Sequence, residues 1–319
     1  MNAVVCGLGA CLPPTVVTNE MLAAELDTSD EWIRGRTGVG ARRVVEPGVR
    51  TSDLATEAGR LALESAERIE VELVVVATST PDRSCPAVAP LVATRLGLAG
   101  VAAFDVAAVC SGFVYAMVTA AGLVASSVAR SALVVGADTF STILDPADRA
   151  TRAIFGDGAG AVVLRAGDAD EPGVPLGVDL GSDGQGYDLV TVREDGYLHL
   201  SGPRVYFEAV RRMTASATAA AARAGWRAED VDAVVPHQAN VRILDDCAKY
   251  LGIPPARVVR HIEPVGNTVA GSIPLALAWA AGRGELKPGD RTVLTGFGGG
   301  LTWGSIALRW PDLRPRYQD

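Results

Sequence analysis

Apolar runs recur along this chain in an order that repeats once. VELVVVATST (71–80) is a continuous Val-rich run, the mark of a strand covered on both faces. An LG pair follows at 96–97, then AFDVAAVC (103–110), a second predicted strand that ends in Cys110. SGFVYAMVTAAGLVASS (111–127) is then apolar and small on every side, which predicts a buried helix. The second half retraces the pattern. VDAVVPHQA (231–239) is a strand, LG returns at 251–252, and RVVRHIEPVGN (257–267) leads to Asn267. TVAGSIPLALAWAAG (268–282) is again a small-residue helix. Each half closes on a strand pair around glycines: SALVVGAD with FGDGAGAVVL (155–164), and RTVLTG with FGGGLTWGSIAL (297–308). Alternating strands and helices predict parallel sheets in two similar α/β halves. The polar stretch AGDADEPGVP (166–175) divides them, into residues 1–170 and 171–319.

Local signals fill in the edges. MNAVVCGLGACLPP reads as a first strand stopped by Pro13-Pro14, not as a signal peptide. Thr28-Ser29-Asp30-Glu31 fits a capping box before Trp32 and Ile33. After Thr51-Ser52-Asp53, residues Leu54, Ala58, Leu61, Ala62 and Ser65 recur at helical spacing, a core-facing stripe.

Composition narrows the function. Apolar residues make up 49% and aromatics only 5%, so Ala and Val dominate the apolar content and suit close helix packing. No apolar stretch approaches the roughly 20 residues a bilayer span needs, and the expected location is the cytoplasm. Five scattered cysteines without C-x-x-C spacing argue for reduced thiols, and three histidines leave little material for a metal centre. A net charge of −8 disfavours nucleic acid. Arg34, Arg36, Arg42, Arg43 and Arg50 nevertheless form a local basic run, either a solvated face or a landing site for a polyanion.

Three residues invite chemistry. Cys110 sits where a strand meets a helix start, a position whose dipole lowers a thiol pKa; its bland alternative is a buried small hydrophobe. His237 follows an apolar strand beside polar Gln238 and Asn240, although a lone loop histidine is more often structural. Asn267 opens the next helix, where Asn is also a favoured cap. The repeat raises all three, because corresponding junctions of two related halves face one cleft. A cysteine nucleophile with His and Asn beside it suggests acyl transfer through a thioester. Glycines 298–300 permit a turn whose amides face a developing oxyanion, whereas Gly156, Gly158 and Gly160 read as structural. Neither run matches a phosphate loop or a dinucleotide fingerprint.

The strings TSDEWIRGRTGV (28–39), FDVAAVCSGF (104–113), DPADR (145–149), FGDGAGA (155–161), PHQANVRI (236–243), GNTVAGSIP (266–274) and FGGGLTWGS (297–305) resemble the β-ketoacyl-acyl-carrier-protein synthase III family of the thiolase superfamily, nearly end to end. The resemblance implies a thiolase-like five-layered αβαβα fold, a homodimer and decarboxylative Claisen condensation. It implies that Cys110 takes the acyl group from acyl-CoA, with the amides of Cys110 and Gly299 as oxyanion hole. His237 and Asn267 would hold the malonyl thioester of an acyl carrier protein, and Phe297 would shield the chemistry. Trp32 would stack on the adenine of coenzyme A, Arg36 and Arg149 would meet its nucleotide end, and Asn240 and Arg242 would line its tunnel. No tightly bound cofactor is implied, only a coenzyme A thioester as substrate, with neither nucleic acid nor membrane as partner. The alternative is a relative that passes the acyl group to an alcohol, amine or carrier thiol, disfavoured by the intact GNT at 266–268. Chalcone-synthase-like and HMG-CoA-synthase-like relatives are usually longer, and a silent acyl-CoA-binding scaffold would not need all three polar residues.

Departures from the family pattern are a short 182–202 segment, Phe207 where a basic residue is common, and Val265 where His is frequent. Cys85 stands near where a bulky residue of the partner subunit often closes the acyl pocket, which predicts room for longer or branched primers.

Overall fold

A computed structural model describes residues 2–67 and 69–318. The strands, in chain order, are β1 (Asn2–Cys11), β2 (Thr15–Thr18), β3 (Ala41–Val44), β4 (Leu73–Ala77), β5 (Ala102–Val106), β6 (Ser131–Asp138) and β7 (Gly158–Gly167). They continue with β8 (Pro175–Ser182), β9 (Val190–Val192), β10 (Leu198–Leu200), β11 (Ala233–Pro236), β12 (Arg291–Gly298), β13 (Thr302–Arg309) and β14 (Arg316–Gln318). One main sheet runs β14-β1-β7-β6-β4-β5 and the other β8-β13-β12-β11.

The two sheets carry the same sequence of pairings. β1 and β8 are antiparallel to β7 and β13, which are antiparallel to β6 and β12, and these are parallel to β4 and β11. In the first sheet β5 extends this order in parallel with β4. Its counterpart in the second half, in the run 257–267, is reduced to one parallel bridge between Val258 and Val234. The Arg257 and Glu263 flanks are too polar, and Pro264 too close, for a longer ladder.

Six helices complete five layers. Thr51–Ser65 and Ala89–Arg95 cover the outside of the first sheet, and Gly202–Arg223 and Val241–Leu251 that of the second. Gly112–Ala125 and Ser272–Gly282 lie between the sheets. Both are apolar on nearly all sides because most of their surface is covered: Phe113, Val114, Met117, Leu275, Leu277 and Ala278 are all buried there, and only positions such as Thr119, Gly122 and Gly282 are exposed. A fully buried Phe or Met of this kind contributes roughly 1.5–3 kcal/mol through the area it removes from water.

Two sequence expectations shift at element ends. The strand expected to end at Cys110 stops at Val106, and a single 3₁₀ turn, Val109–Ser111, carries the cysteine. The cap of helix Asp30–Thr37 is Ser29, whose Oγ accepts from the Trp32 amide at 3.1 Å, so Thr28 and Glu31 form no reciprocal box. The stripe of helix Thr51–Ser65 packs as expected, with Leu54, Ala58, Leu61 and Ala62 buried.

Candidate active site

Two strained valines mark the place where the halves meet. Val109 has φ +47° and Val269 φ +52°, a left-handed conformation that a β-branched residue adopts only at a cost of about 1–3 kcal/mol. Each is followed by a short turn and then by one of the two central helices. Superposing these turns makes Ala270 the counterpart of Cys110 and Ala107 the counterpart of Asn267. Cys110 and Asn267 thus lie at corresponding junctions of the two halves, as expected, and stand three residues apart on them.

Each turn crosses the other half's glycine strands. A Cβ on Gly136 would lie 2.2 Å from the Ala270 carbonyl oxygen, and one on the equivalent Gly296 would lie 3.4 Å from that of Cys110. A Cβ on Gly298 would come within 2.8 Å of the Cys110 amide nitrogen. Only glycine lets the second half's strand pass so close to the cysteine. Thr302 Oγ1 sits 3.2 Å from the Gly299 oxygen and 2.8 Å from Ser111 Oγ, joining the glycine turn to the cysteine turn.

A cavity of about 520 Å³ opens here, and Cys110, His237, Asn267, Phe297 and Gly299 all line it. Cys110 is partly exposed to this space. Burial pushes its thiol pKa up, and the negative charge of buried Asp138 adds to that; its own backbone N–H pulls the other way. The helix-start position was expected to lower the pKa; burial of the thiol acts against it. His237 directly follows β11, its amide donating to the Thr295 oxygen at 2.8 Å. Burial lowers its pKa to about 3, so the imidazole is neutral at ordinary pH. Its Nδ1 has no partner among the described residues.

Asn267 is pinned at three points. Its amide donates to Ile154 O at 2.9 Å, its carbonyl accepts from Gly156 at 3.0 Å, and its Oδ1 accepts from Val269 at 3.0 Å. With Oδ1 engaged, the side-chain NH2 is the group left for the cavity. The floor therefore presents a thiol, a neutral imidazole and an amide donor, backed by Phe297, which is 4% exposed.

The mouth is different in kind. Trp32, Arg36, Asn240 and Arg242 line it. The Arg36 and Arg149 guanidinium groups lie 5.3 and 5.1 Å from the Trp32 ring centroid, close enough for cation–π attraction. Arg149 does not itself line the cavity; it reaches the site through Trp32 and pairs with Asp27 at 3.2 Å. Asn240 caps helix Val241–Leu251 and its Nδ2 donates to Arg36 O at 2.9 Å, locking the two edges of the mouth together. Arg242 lies over the Tyr206 ring at 5.3 Å.

The basic run seen in the sequence is not one surface. Arg42 is 1% exposed and donates to Asn19 Oδ1 (2.7 Å) and to Ala153 O (3.0 Å), burial lowering its pKa to about 10. Arg34 is paired with Asp30 and Glu263. Only Arg36 of the five reaches the cavity. Sequence reasoning missed the cavity walls, among them Val190, Leu200, Tyr206 and Met213. Val190 and Leu200 come from the β9–β10 hairpin inside the short 182–202 segment, which carried no motif. Cys85 is exposed and does not line the cavity of its own chain.

The comparisons agree with this geometry. The profile described as 3-Oxoacyl-[acyl-carrier-protein (ACP)] synthase III matches residues 104–184, and that described as its C terminal matches 221–310. The chain is 55% identical to a Streptomyces coelicolor protein named Beta-ketoacyl-[acyl-carrier-protein] synthase III 2, covering 98% of this chain and 96% of that one. The crystal structure of 3-oxoacyl-(acyl carrier protein) synthase III from Pseudomonas aeruginosa superposes with a TM-score of 0.96 at 54% identity, over 99% of this chain and 100% of that one. A priming β-ketosynthase of a polyketide pathway superposes with a TM-score of 0.92 at 35% identity, over 98% of this chain and 97% of that one. With this similarity running from end to end over a thiolase-like fold, the chain belongs to the β-ketoacyl-acyl-carrier-protein synthase III family.

Proposed function

We propose that the protein joins an acyl group from acyl-CoA to a malonyl unit carried on acyl carrier protein, using Cys110 as nucleophile and His237 and Asn267 as neutral donors. The observation that carries this reading is the convergence of these three groups on the floor of one cavity whose mouth is built from Trp32 and arginines. The Cys110 sulfur, having lost its proton, attacks the acyl-CoA carbonyl, and coenzyme A leaves as its thiol with that proton. The amides of Cys110 and Gly299 hold the oxyanion; neither donates to a protein carbonyl in the turns of the described residues. The malonyl thioester then loses CO₂. His237 and Asn267 donate to the enolate oxygen that forms, its carbanion attacks the acyl-cysteine carbonyl, and the Cys110 thiolate is released. Neutral donors aimed at a charge that exists only in the transition state lower the barrier without binding the ground state more tightly.

On this reading Trp32 stacks the adenine, Arg36 and Arg149 meet the phosphates, Asn240 and Arg242 line the tunnel, and Phe297 keeps water out. No resident cofactor is required. The two halves meet between residues 170 and 171, and the active form is a cytoplasmic homodimer. The edge position of β5 in the first sheet, with Phe104 and Val106 only half-buried in the single chain, supports a second copy. No helix of the described residues is long and apolar enough to cross a membrane.

Intact-protein mass spectrometry tests the function. Wild type and Cys110→Ala are incubated with acetyl-, isobutyryl- and longer acyl-CoAs and chased with malonyl carrier protein. A Cys110-dependent adduct that disappears as 3-ketoacyl product forms is expected. An adduct that survives the chase indicates an acyltransferase with another acceptor, and no adduct overturns the acyl-enzyme mechanism.

A further inference from the structure

The two valine turns are near copies, yet their helix-start amides have different fates. The residue opposite each amide is the last residue of β6 or β12, and the glycine pairs Gly136–Gly160 and Gly296–Gly304 align these strands so that Asp138 matches Gly298. Opposite Cys110 stands Gly298, with no side chain. Opposite Ala270 stands Asp138, fully buried, whose Oδ2 accepts from the Ala270 amide at 2.9 Å. Its Oδ1 accepts from the Ser79 and Thr80 amides at 2.7 and 3.1 Å and from the Thr80 and Thr78 hydroxyls at 3.0 and 3.2 Å. One carboxylate thus ties the first half's 78–80 loop to the second half's Asn267 turn.

We propose that Asp138 is a positioning residue for the condensation step, acting through the Ala270 amide and the Val269 turn to hold the Asn267 amide toward the cavity. This rests on the function proposed above. The Val269 amide binds Asn267 Oδ1 at 3.0 Å, and the next amide, of Ala270, binds Asp138. The two bonds fix consecutive peptide units around the residue with φ +52°. Without the second bond only the turn's own bonds, from the Gly271 amide to Thr268 O at 3.0 Å and from the Ser272 amide to Val269 O, oppose relaxation of the strained unit, and relaxation there swings the Val269 amide away from Oδ1. Asn267 then loses the contact that sets which end of its amide faces the malonyl thioester. The Cys110 turn carries no such clamp, so losing it does not slow acyl transfer to Cys110; losing the Asp138 charge, which holds the thiol pKa up, acts in the opposite sense.

Asp138→Asn tests this cleanly. Four donors converge on Oδ1, so the single amide oxygen stays with them, and the NH2 is turned toward the Ala270 N–H, donor against donor. Folding is checked by thermal melt. Acylation is followed by mass spectrometry of acyl-Cys110, and condensation by product formation from the acyl-enzyme with malonyl carrier protein. The expected result is condensation slowed about 10–100-fold, as an unmet buried donor of this kind implies, with acylation slowed by no more than about threefold. In the Asn267→Ala background the same substitution is expected to cost condensation less than about threefold, because coupled residues do not lose independently. Equal slowing of both steps, no slowing, or additive losses in the double variant overturns the proposal. If the Asn variant fails to fold, Thr78→Val, which loosens the same carboxylate but leaves its charge and its Ala270 bond, carries the same cycle at about two- to fivefold amplitude, with the same outcomes decisive. Failure of wild type to form acyl-Cys110 sinks the functional reading instead, and is seen separately.

Discussion

The floor of the cavity and its mouth are built on opposite principles. At the floor, Asn267 is held by backbone at three points, His237 is buried and uncharged, and Gly298 lets its strand lie against the Cys110 turn. At the mouth, Arg36, Arg149 and Arg242 are exposed and rest on aromatic rings, Arg149 also pairing with exposed Asp27. Rigid, dry groups whose geometry is fixed before the substrate arrives stabilise developing charge; mobile, wet ones gather a polyanion and release it. The floor should therefore govern turnover and the mouth affinity.

The largest expected effect breaks the floor outright. Cys110→Ala removes the nucleophile and should lower overall turnover by about 10⁴-fold or more, with no acyl adduct by mass. Asn267→Ala removes one donor to the enolate. It should slow condensation about 10²–10³-fold while leaving acylation intact, measured by rapid quench of the two steps. The mouth answers in the other parameter. Trp32→Ala should raise the KM for acyl-CoA about tenfold, the scale of one stacked base, with kcat nearly unchanged. A kcat effect as large as that of Asn267→Ala would erase the distinction. Smallest is an effect expected to be absent. His237 takes up a proton only near pH 3, so between pH 5 and 8 it remains a neutral donor, and the condensation rate should show no acid limb near 6.5. A limb there that vanishes in His237→Ala would mean a charged imidazole and a wetter floor.

Much of the floor could be read from the chain, and little of the walls. The buried strands and central helices announced themselves because burial on all sides requires continuous apolar runs, as in 71–80 and 272–282. The repeat then brought Cys110, His237 and Asn267 to one place. What failed needed contacts between distant segments. Arg42 looked like surface charge, but Asn19 and the Ala153 carbonyl give its guanidinium enough partners to be buried. The burial that pushes the Cys110 thiol pKa up gave no sign in the chain, because position along a helix is local and desolvation is not. Val190 and Leu200 are ordinary strand residues until the hairpin folds over the cavity. Asp138, at the end of a strand, gave no sign that the amide it serves lies 132 residues away.

The pairing of β14 with β1 carries a consequence in time. Gly9, Ala10 and Cys11 are matched with Arg316, Tyr317 and Gln318, and the Leu12 amide donates to Gln318 O at 3.1 Å. During synthesis on the ribosome, the flank of β1 stays open while some 300 further residues emerge. Contacts so remote in sequence are slow to close, and until they do the nascent sheet offers an unpaired edge to its neighbours. The first sheet gains that flank only when one of its most distant segments in sequence arrives.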